Sequence, residues 1–421
     1  MNHNLFLPLL LLILSFQQLP AQEKAQIKGK LIDAESKEPL AYATIGFDQV
    51  PIGTVSNQDG LFQFQFPDSL LGHPITISSM GYESRTFSDT RDDGYYLIKL
   101  PPAIRQLDEV VVRPLTPQAY IKKAVNNFDN TLPQDSYGSR SYYRELLREN
   151  GAYVSYTEGV FKSYYPAYRD TSKNQHQLLL YRKEENPKRI EFMRKKIDKE
   201  KRKEQKKAER KGEEFEDPEV ALVESTFGGP NDIFSLAINH HRLPSFLDST
   251  KFKLYRYSFD ESVQYNNKEL LNIRFKAKNP VEHQLSTGNI YIDLSTNAVS
   301  LITLESELVI PALIKPLLFL YGLSINDIDR QIQTRYQYVN GRWFPEYFYF
   351  YLEADMKKRH LFDENEKSHF EMEILIKLNE IQFSEVSEIP EDKRFKPGEK
   401  LSEQVFNNEG LSWEEINTVI Q

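Results

Sequence analysis

Two glutamates, Glu305 and Glu307, close the run Val299-Ser-Leu-Ile-Thr-Leu-Glu-Ser-Glu307. On a strand, residues two apart share a face. Their carboxyl groups would then stand near the ~5–9.5 Å that glycosidases set between the groups that act on the glycosidic bond. The chemistry suggested is glycan hydrolysis; the plainer explanation is the solvent side of a strand. His360-Leu-Phe-Asp363 with His369 is the best-spaced metal set, since two imidazoles and a carboxylate can fill three positions around zinc. The same residues also suit the polar loop of a hairpin. Asn57-Gln-Asp-Gly60 begins like a calcium loop but lacks the later carboxylates and the closing glutamate, and reads as a turn. His240-His241 precede a Pro-containing loop and read as surface or interface residues. Tyr347-Phe-Tyr-Phe-Tyr351 could stack on sugars, yet an aromatic run covering both faces is first a buried strand.

Other chemistries are absent from the sequence. There is no cysteine, hence no thiol nucleophile, no disulfide and no lipoprotein acylation site. No His-Glu-x-x-His, no Gly-x-Ser-x-Gly and no phosphate loop occurs. We therefore assign no catalytic, cofactor-binding or metal-ligating residue and expect no cofactor. The expected function is non-enzymatic. The alternative is a hydrolase acting on glycans or peptides in the periplasm, with Glu305 and Glu307 or the His360 loop at its centre.

The elements that must position these residues are mostly strands. Gln26-Ile-Lys-Gly-Lys-Leu-Ile-Asp33 alternates with period two, as a half-buried strand must. Pro39 to Phe47, Leu61-Phe-Gln-Phe-Gln-Phe66, Ile75-Thr-Ile-Ser78 and Tyr95 to Leu100 follow, with turn residues between them. Asn57 to Gly60 is read as the turn of a hairpin joining Thr54-Val-Ser56 to Leu61–Phe66. Short strands at regular spacing indicate an antiparallel sandwich.

Ile27-x-Gly29-x-Leu31-x-Asp33, Pro39-Leu40-x-x-Ala43-x-Ile45, Gly53-Thr54-x-Ser56-x-x-x-Gly60-x-Phe62 and Met80-Gly81-Tyr82 resemble the carboxypeptidase-regulatory-like domain. The resemblance covers about a fifth of the chain and implies a transthyretin-like sandwich without peptidase activity. Such domains precede larger modules in bacterial envelope proteins, TonB-dependent outer-membrane receptors among them. The central region, with Gly288-Asn-Ile-Tyr-Ile-Asp293 and Tyr338-Val-Asn-Gly-Arg-Trp343, is similar to uncharacterised envelope proteins that carry this domain, and more distantly to lipoprotein-carrier-like half-barrels. Longer relatives continue into an outer-membrane barrel. The sequence stops at Gln421 without that part, which puts any transport role in doubt.

Phe6-Leu-Pro-Leu-Leu-Leu-Leu-Ile-Leu14 has the length of a signal-peptide core, and cleavage is expected after Ala21. Thr116 is the expected N-cap, with Pro117 the first residue, of a helix reaching Phe128. Asn150-Gly151 and Asn340-Gly341 are hairpin turns between strand patterns. Leu308 to Leu323 is apolar but broken by Pro311, Lys315 and Pro316, so it is read as a buried or surface-docking turn and not a membrane span. Residues 188–211 hold 13 basic and 5 acidic side chains. With almost no apolar stripe beyond Phe192, Met193 and Ile197, that stretch reads as a solvated helix, or as an electrostatic contact with anionic lipid, lipopolysaccharide phosphates or an acidic partner.

The expected architecture is mainly β: residues 1–21 a signal peptide, 22–113 the sandwich, and 114–186 a helix plus the first strands of a second domain. Residues 187–218 are expected as a long charged helix inserted there, 219–388 as a larger antiparallel curved sheet, and 389–421 as a polar tail ending in a short helix capped by Ser412. The expected location is export to the periplasm or outer-membrane association. An envelope protein, lipid or glycan is the expected partner, with an anionic membrane surface as a further candidate and no nucleic acid.

Overall fold

The computed structural model describes residues 24–47, 50–88, 94–103, 114–183, 190–215, 243–265, 268–312, 314–360, 364–397, 399, 401–405, 408–413 and 416–418. The expected signal peptide with its expected cleavage site, residues 107–112 and 231–238, which the sequence pattern reads as a strand and a helix, His240, His241, Asp363 and part of the terminal helix expected over 411–416 lie outside the described residues.

Seven strands build the first unit: β1 (Lys24–Asp33), β2 (Thr44–Phe47), β3 (Gly53–Val55), β4 (Leu61–Pro67), β5 (Ile75–Ser78), β6 (Arg85–Phe87) and β7 (Gly94–Leu100). They form two sheets, β4-β1-β7 and β3-β2-β5-β6, which enclose Ile27, Leu31, Ile45, Phe62, Phe64, Phe66 and Ile77. The alternation of β4 places its three phenylalanines inward. The sandwich departs from the sequence reading twice. Residues 57–60 do not close a hairpin, because β3 pairs with β2 whereas β4 pairs with β1. The turn is a corner that carries the chain from one sheet to the other. Asn57, buried there, accepts hydrogen bonds from the N–H groups of Asp59 (3.0 Å) and Leu61 (2.8 Å). Gly60 sits at φ 74°, where a Cβ would meet Leu31 O at 2.3 Å, so the corner requires glycine. The second departure is that β7 runs parallel to β1.

The remaining strands join one sheet of eleven, all antiparallel: β8 (Tyr137–Glu149), β9 (Ala152–Tyr165), β10 (Gln175–Lys183), β11 (Tyr255–Phe259), β12 (Val263–Tyr265), β13 (Lys268–Ala277), β14 (Gln284–Asp293), β15 (Ala298–Leu308), β16 (Leu323–Val339), β17 (Arg342–Lys358) and β18 (Glu366–Gln382). The order is β10-β9-β8-β18-β17-β16-β15-β14-β13-β11, with β12 also paired to β13. Asn150-Gly151 and Asn340-Gly341 turn two of the hairpins with positive φ at both residues, the conformation that a two-residue primed turn demands.

One face of this sheet carries two cores. Tyr143, Phe161, Phe348, Ile374 and Ile376 gather with Phe395 and Leu401 of the tail and with Ile190 and Phe192. Ile273, Phe275, Ile290 and Leu304 are covered by helix α1 (Pro117–Asn126) and by Phe246 and Leu247. Helix α1 starts as its sequence dictates: Thr116 Oγ1 accepts from Ala119 N–H and Pro117 takes the first turn, while Ile121 and Ala124 are its buried residues. A short α2 (Phe128–Thr131) follows. The charged helix α3 spans Arg194–Lys211. It is rooted by buried Glu149, whose carboxylate accepts the N–H groups of Glu191 (2.6 Å) and Phe192 (2.8 Å). Glu191 thus precedes the helix, and Asp198 pairs with Arg194 at 2.8 Å. The last helix, α4 (Lys315–Leu320), lies between β15 and β16.

His176 on β10 is 2% exposed, its Nδ1 2.8 Å from Ser163 Oγ. Burial pushes its pKa from 6.5 down to about 3. The folded protein keeps the imidazole neutral while the unfolded chain protonates it below 6.5, so this contribution to stability is full above that pH and is lost as pH falls toward 3. In urea unfolding followed across pH 7 to 4, His176→Gln is expected to lose less stability on acidification than the parent protein.

Candidate functional site

A cavity of about 450 Å³ lies between the two cores on the helix-covered face. Such a volume is in the range of small-ligand sites. Its walls come from α2 (Phe128), the following Leu132, the segment bearing Phe246 and Leu247, and the inward side chains Ile302, Leu304, Ile332 and Phe348 of β15, β16 and β17. The period of two puts Ile332 and Thr334 inward on β16, and it also puts Arg330 there. Arg330 is half-buried; one of its terminal nitrogens hydrogen-bonds Gln284 Oε1 and lies 3.3 Å from Ser306 Oγ. Its Nε has no hydrogen-bond partner, and no carboxylate among the described residues pairs with it. Burial holds its pKa below the ordinary arginine value, yet a guanidinium so basic stays charged. At the rim Lys251 and Glu282 pair at 2.9 Å. The result is an apolar chamber with one uncompensated cation and a short row of amide and hydroxyl groups. A larger hollow, about 860 Å³, runs beside α3, but the lysines and arginines of that single helix, with Asp198, form it and enclose nothing.

The residues singled out from sequence are distributed otherwise. Glu305 and Glu307 are exposed and face Gln331 and Asp329 across the β15–β16 ladder. They lie on the opposite face of β15 from the cavity residues Ile302 and Leu304. His360 and His369 do not form a set: His360 Nε2 meets Glu366 Oε1 at 2.7 Å, whereas His369 Nδ1 meets Asp355 Oδ1 at 2.8 Å. His369 instead joins Glu353 and Glu371, with one potential ligand atom from each within 4.8 Å of the others. Tyr351 OH lies 2.8 and 3.0 Å from those two carboxylates and has one hydrogen to share between them; we assign the group no metal. The aromatic run is split by the pleat. Phe348 and Phe350 enter the core, while Tyr347 and Tyr349 join the cluster on the other face.

That other face carries buried charge. Glu373 is paired with Arg144, both at most 5% exposed, and Glu158 with Tyr142 and Arg182. Glu346 lies 2.9 Å from Arg335 Nε and 3.5 Å from Lys377 Nζ, all three buried. Burial alone would raise the Glu346 pKa, but Arg335 and Lys377 outweigh it and hold the carboxylate below its ordinary value. Lys377 is itself lowered, chiefly by burial. The N-terminal sandwich seals this layer. A family model described as the CarboxypepD_reg-like domain matches residues 27–112. The N-terminal sandwich is a CarboxypepD_reg-like domain. No curated protein and no solved structure matches the chain.

The CarboxypepD_reg-like domain seals the layer with four side chains and one carbonyl. Gln58 donates to Glu373 Oε2 at 2.9 Å, and Tyr42 OH does so at 3.4 Å. Arg335 donates to Tyr42 O at 3.2 Å, Thr44 Oγ1 and Tyr265 OH are 2.9 Å apart, and Val55 packs on Tyr142, Tyr347 and Leu375. Burial and the charge of Glu373 push the Tyr42 hydroxyl up to about 12, so it remains a donor. Glu373, Glu158 and Glu346 are each held by a cation, and the layer is the contact surface between the two units. Sequence reading missed Arg330 and these pairs because their partners are set by strand register. The one local signal was the inward position of Arg330 two residues before Ile332.

Proposed function

We propose that this protein is a non-enzymatic, exported envelope protein whose large sheet binds a lipid-like ligand, with the CarboxypepD_reg-like domain as its docking and folding module. The cavity carries this reading. An apolar chamber accepts an aliphatic body, and a cation that lacks a counter-charge in low dielectric favours a ligand that brings one. The signal-peptide-like core at 6–14 and the small residue Ala21 support export.

The test is binding of palmitate and of hexadecanol, followed by calorimetry on the chain from Gln22 onward. Palmitate is expected to bind saturably and hexadecanol about tenfold or more weakly, since a charge-assisted hydrogen bond contributes roughly 1.5–3 kcal/mol. Arg330→Gln is expected to erase the difference between them. Equal binding of both by the parent protein, or binding of neither, would refute the assignment.

A further inference from the structure

We propose that the tip formed by α4 and the residue after it inserts into the headgroup layer of an anionic lipid bilayer. This inference goes beyond the ligand cavity and stands on different residues. Phe319, Leu320 and Tyr321 are 72%, 79% and 56% exposed, and Ile314 just before α4 is exposed as well. Single exposed apolar residues are ordinary on a soluble surface, but three consecutive large ones at the end of a sheet mark a contact site.

The chemistry around the tip selects the occupant. Lys358 Nζ donates to Tyr321 O, and the N–H of Arg359 donates to Gly322 O at 2.8 Å. These bonds fasten the tip to the end of β17 and place Lys358 and Arg359 beside it, with Lys357 next in the strand, Lys315 at the start of α4 and Glu366 opposite Lys358 in the ladder. None of these four cations has an ion-pair partner among the described residues, although the chain as a whole is acidic, at −8. Helix α3 is rooted at the same end of the sheet, where the N–H of Met193 bonds to Glu366 at the start of β18. It adds a further row of lysines and arginines. A protein partner would have to neutralise that collar while burying a small aromatic knob. An anionic bilayer offers both at once, apolar depth for Phe319 and Leu320 and phosphates for the collar, with Tyr321 at the interface where aromatic residues concentrate. With six residues α4 is far too short to span, and no described helix is long and apolar enough to cross a membrane. The contact is therefore shallow.

The experiment is vesicle sedimentation of the chain from Gln22 onward, with phosphatidylcholine alone and with added phosphatidylglycerol. Binding is expected only to the anionic vesicles, weakening from low to high salt. Phe319→Ser with Leu320→Ser is expected to weaken it at least ~10-fold, because two large apolar side chains lose their burial. Both positions are exposed, so folding should be untouched, which circular dichroism checks. Phe319→Trp should gain quenching by brominated lipids beyond that of the native tryptophans. Undiminished binding of the double serine variant, or binding lost only when 194–211 are deleted, would overturn the proposal. So would a change in self-association on the serine substitutions, since that would assign the tip to a second copy of the chain. The double serine variant should leave palmitate binding unchanged, since neither residue lines the cavity, so failure here is distinguishable from failure of the cavity reading.

Discussion

Glu346→Gln is expected to destabilise the protein by about 3–5 kcal/mol in urea unfolding at neutral pH, the range found when one member of a buried charge group is removed. Glutamine keeps the shape of the side chain but leaves Arg335 and Lys377 facing each other without a carboxylate. Few bonds hold them otherwise: Lys377 reaches Leu378 O at 3.0 Å, and a terminal nitrogen of Arg335 already lacks a partner. The deficit should shrink as pH rises. Burial holds Lys377 below its ordinary value in the folded state, and loss of Glu346 lowers it further. The unfolded chain then binds more protons, and stability grows with pH. Adding Lys377→Met to the variant should recover part of the loss, because it removes a buried charge instead of stranding one. A loss under 1 kcal/mol for Glu346→Gln alone would mean that water reaches this layer.

Gly288→Ala is the second large effect, about 3 kcal/mol by the measure of an overpacked core. Gly288 lies opposite Phe275 in the β13–β14 ladder. A Cβ there would meet Thr303 O at 2.0 Å and the Phe275 ring at 2.9 Å. The ring cannot simply give way, since it stacks on Phe246 with centroids 4.2 Å apart, and Phe246 is a wall of the cavity. The substitution should therefore weaken palmitate binding as well as stability. Thermal unfolding and calorimetry on the same preparation check both, and a stable variant with intact binding would show that the strand gap can open.

What was legible in the sequence was local. Period-two alternation marked β1 and β4, Asn-Gly marked two hairpin turns, and Thr116-Pro117 marked the start of α1, because each rests on residues within a turn or two of one another. The corner at 57–60 was misread for the same reason. Asn57 and Gly60 suit a tight turn, but which sheet Leu61–Pro67 joins is decided by Ile27, Leu31 and the inward phenylalanines packing across the sandwich. The separation of His360 from His369 and the gathering of Glu353, His369 and Glu371 follow from the β17–β18 register, which no single strand encodes. Arg330 looked like an ordinary polar residue on a strand; only the helix-covered face of the sheet makes its charge conspicuous.

The pairing of β18 with β8 also fixes an order of assembly. Arg144 and Glu373 are 229 positions apart in sequence, and the strands that carry them are neighbours in the sheet. The hairpin of β8 and β9 can form early, since it is closed by two residues. Its β8 edge then stays open, a row of unpaired N–H and C=O groups, until nearly the whole chain is present. A chain delivered from its N-terminus would thus spend its longest interval with that edge bare, and the last strand to arrive both closes it and neutralises the guanidinium waiting on it.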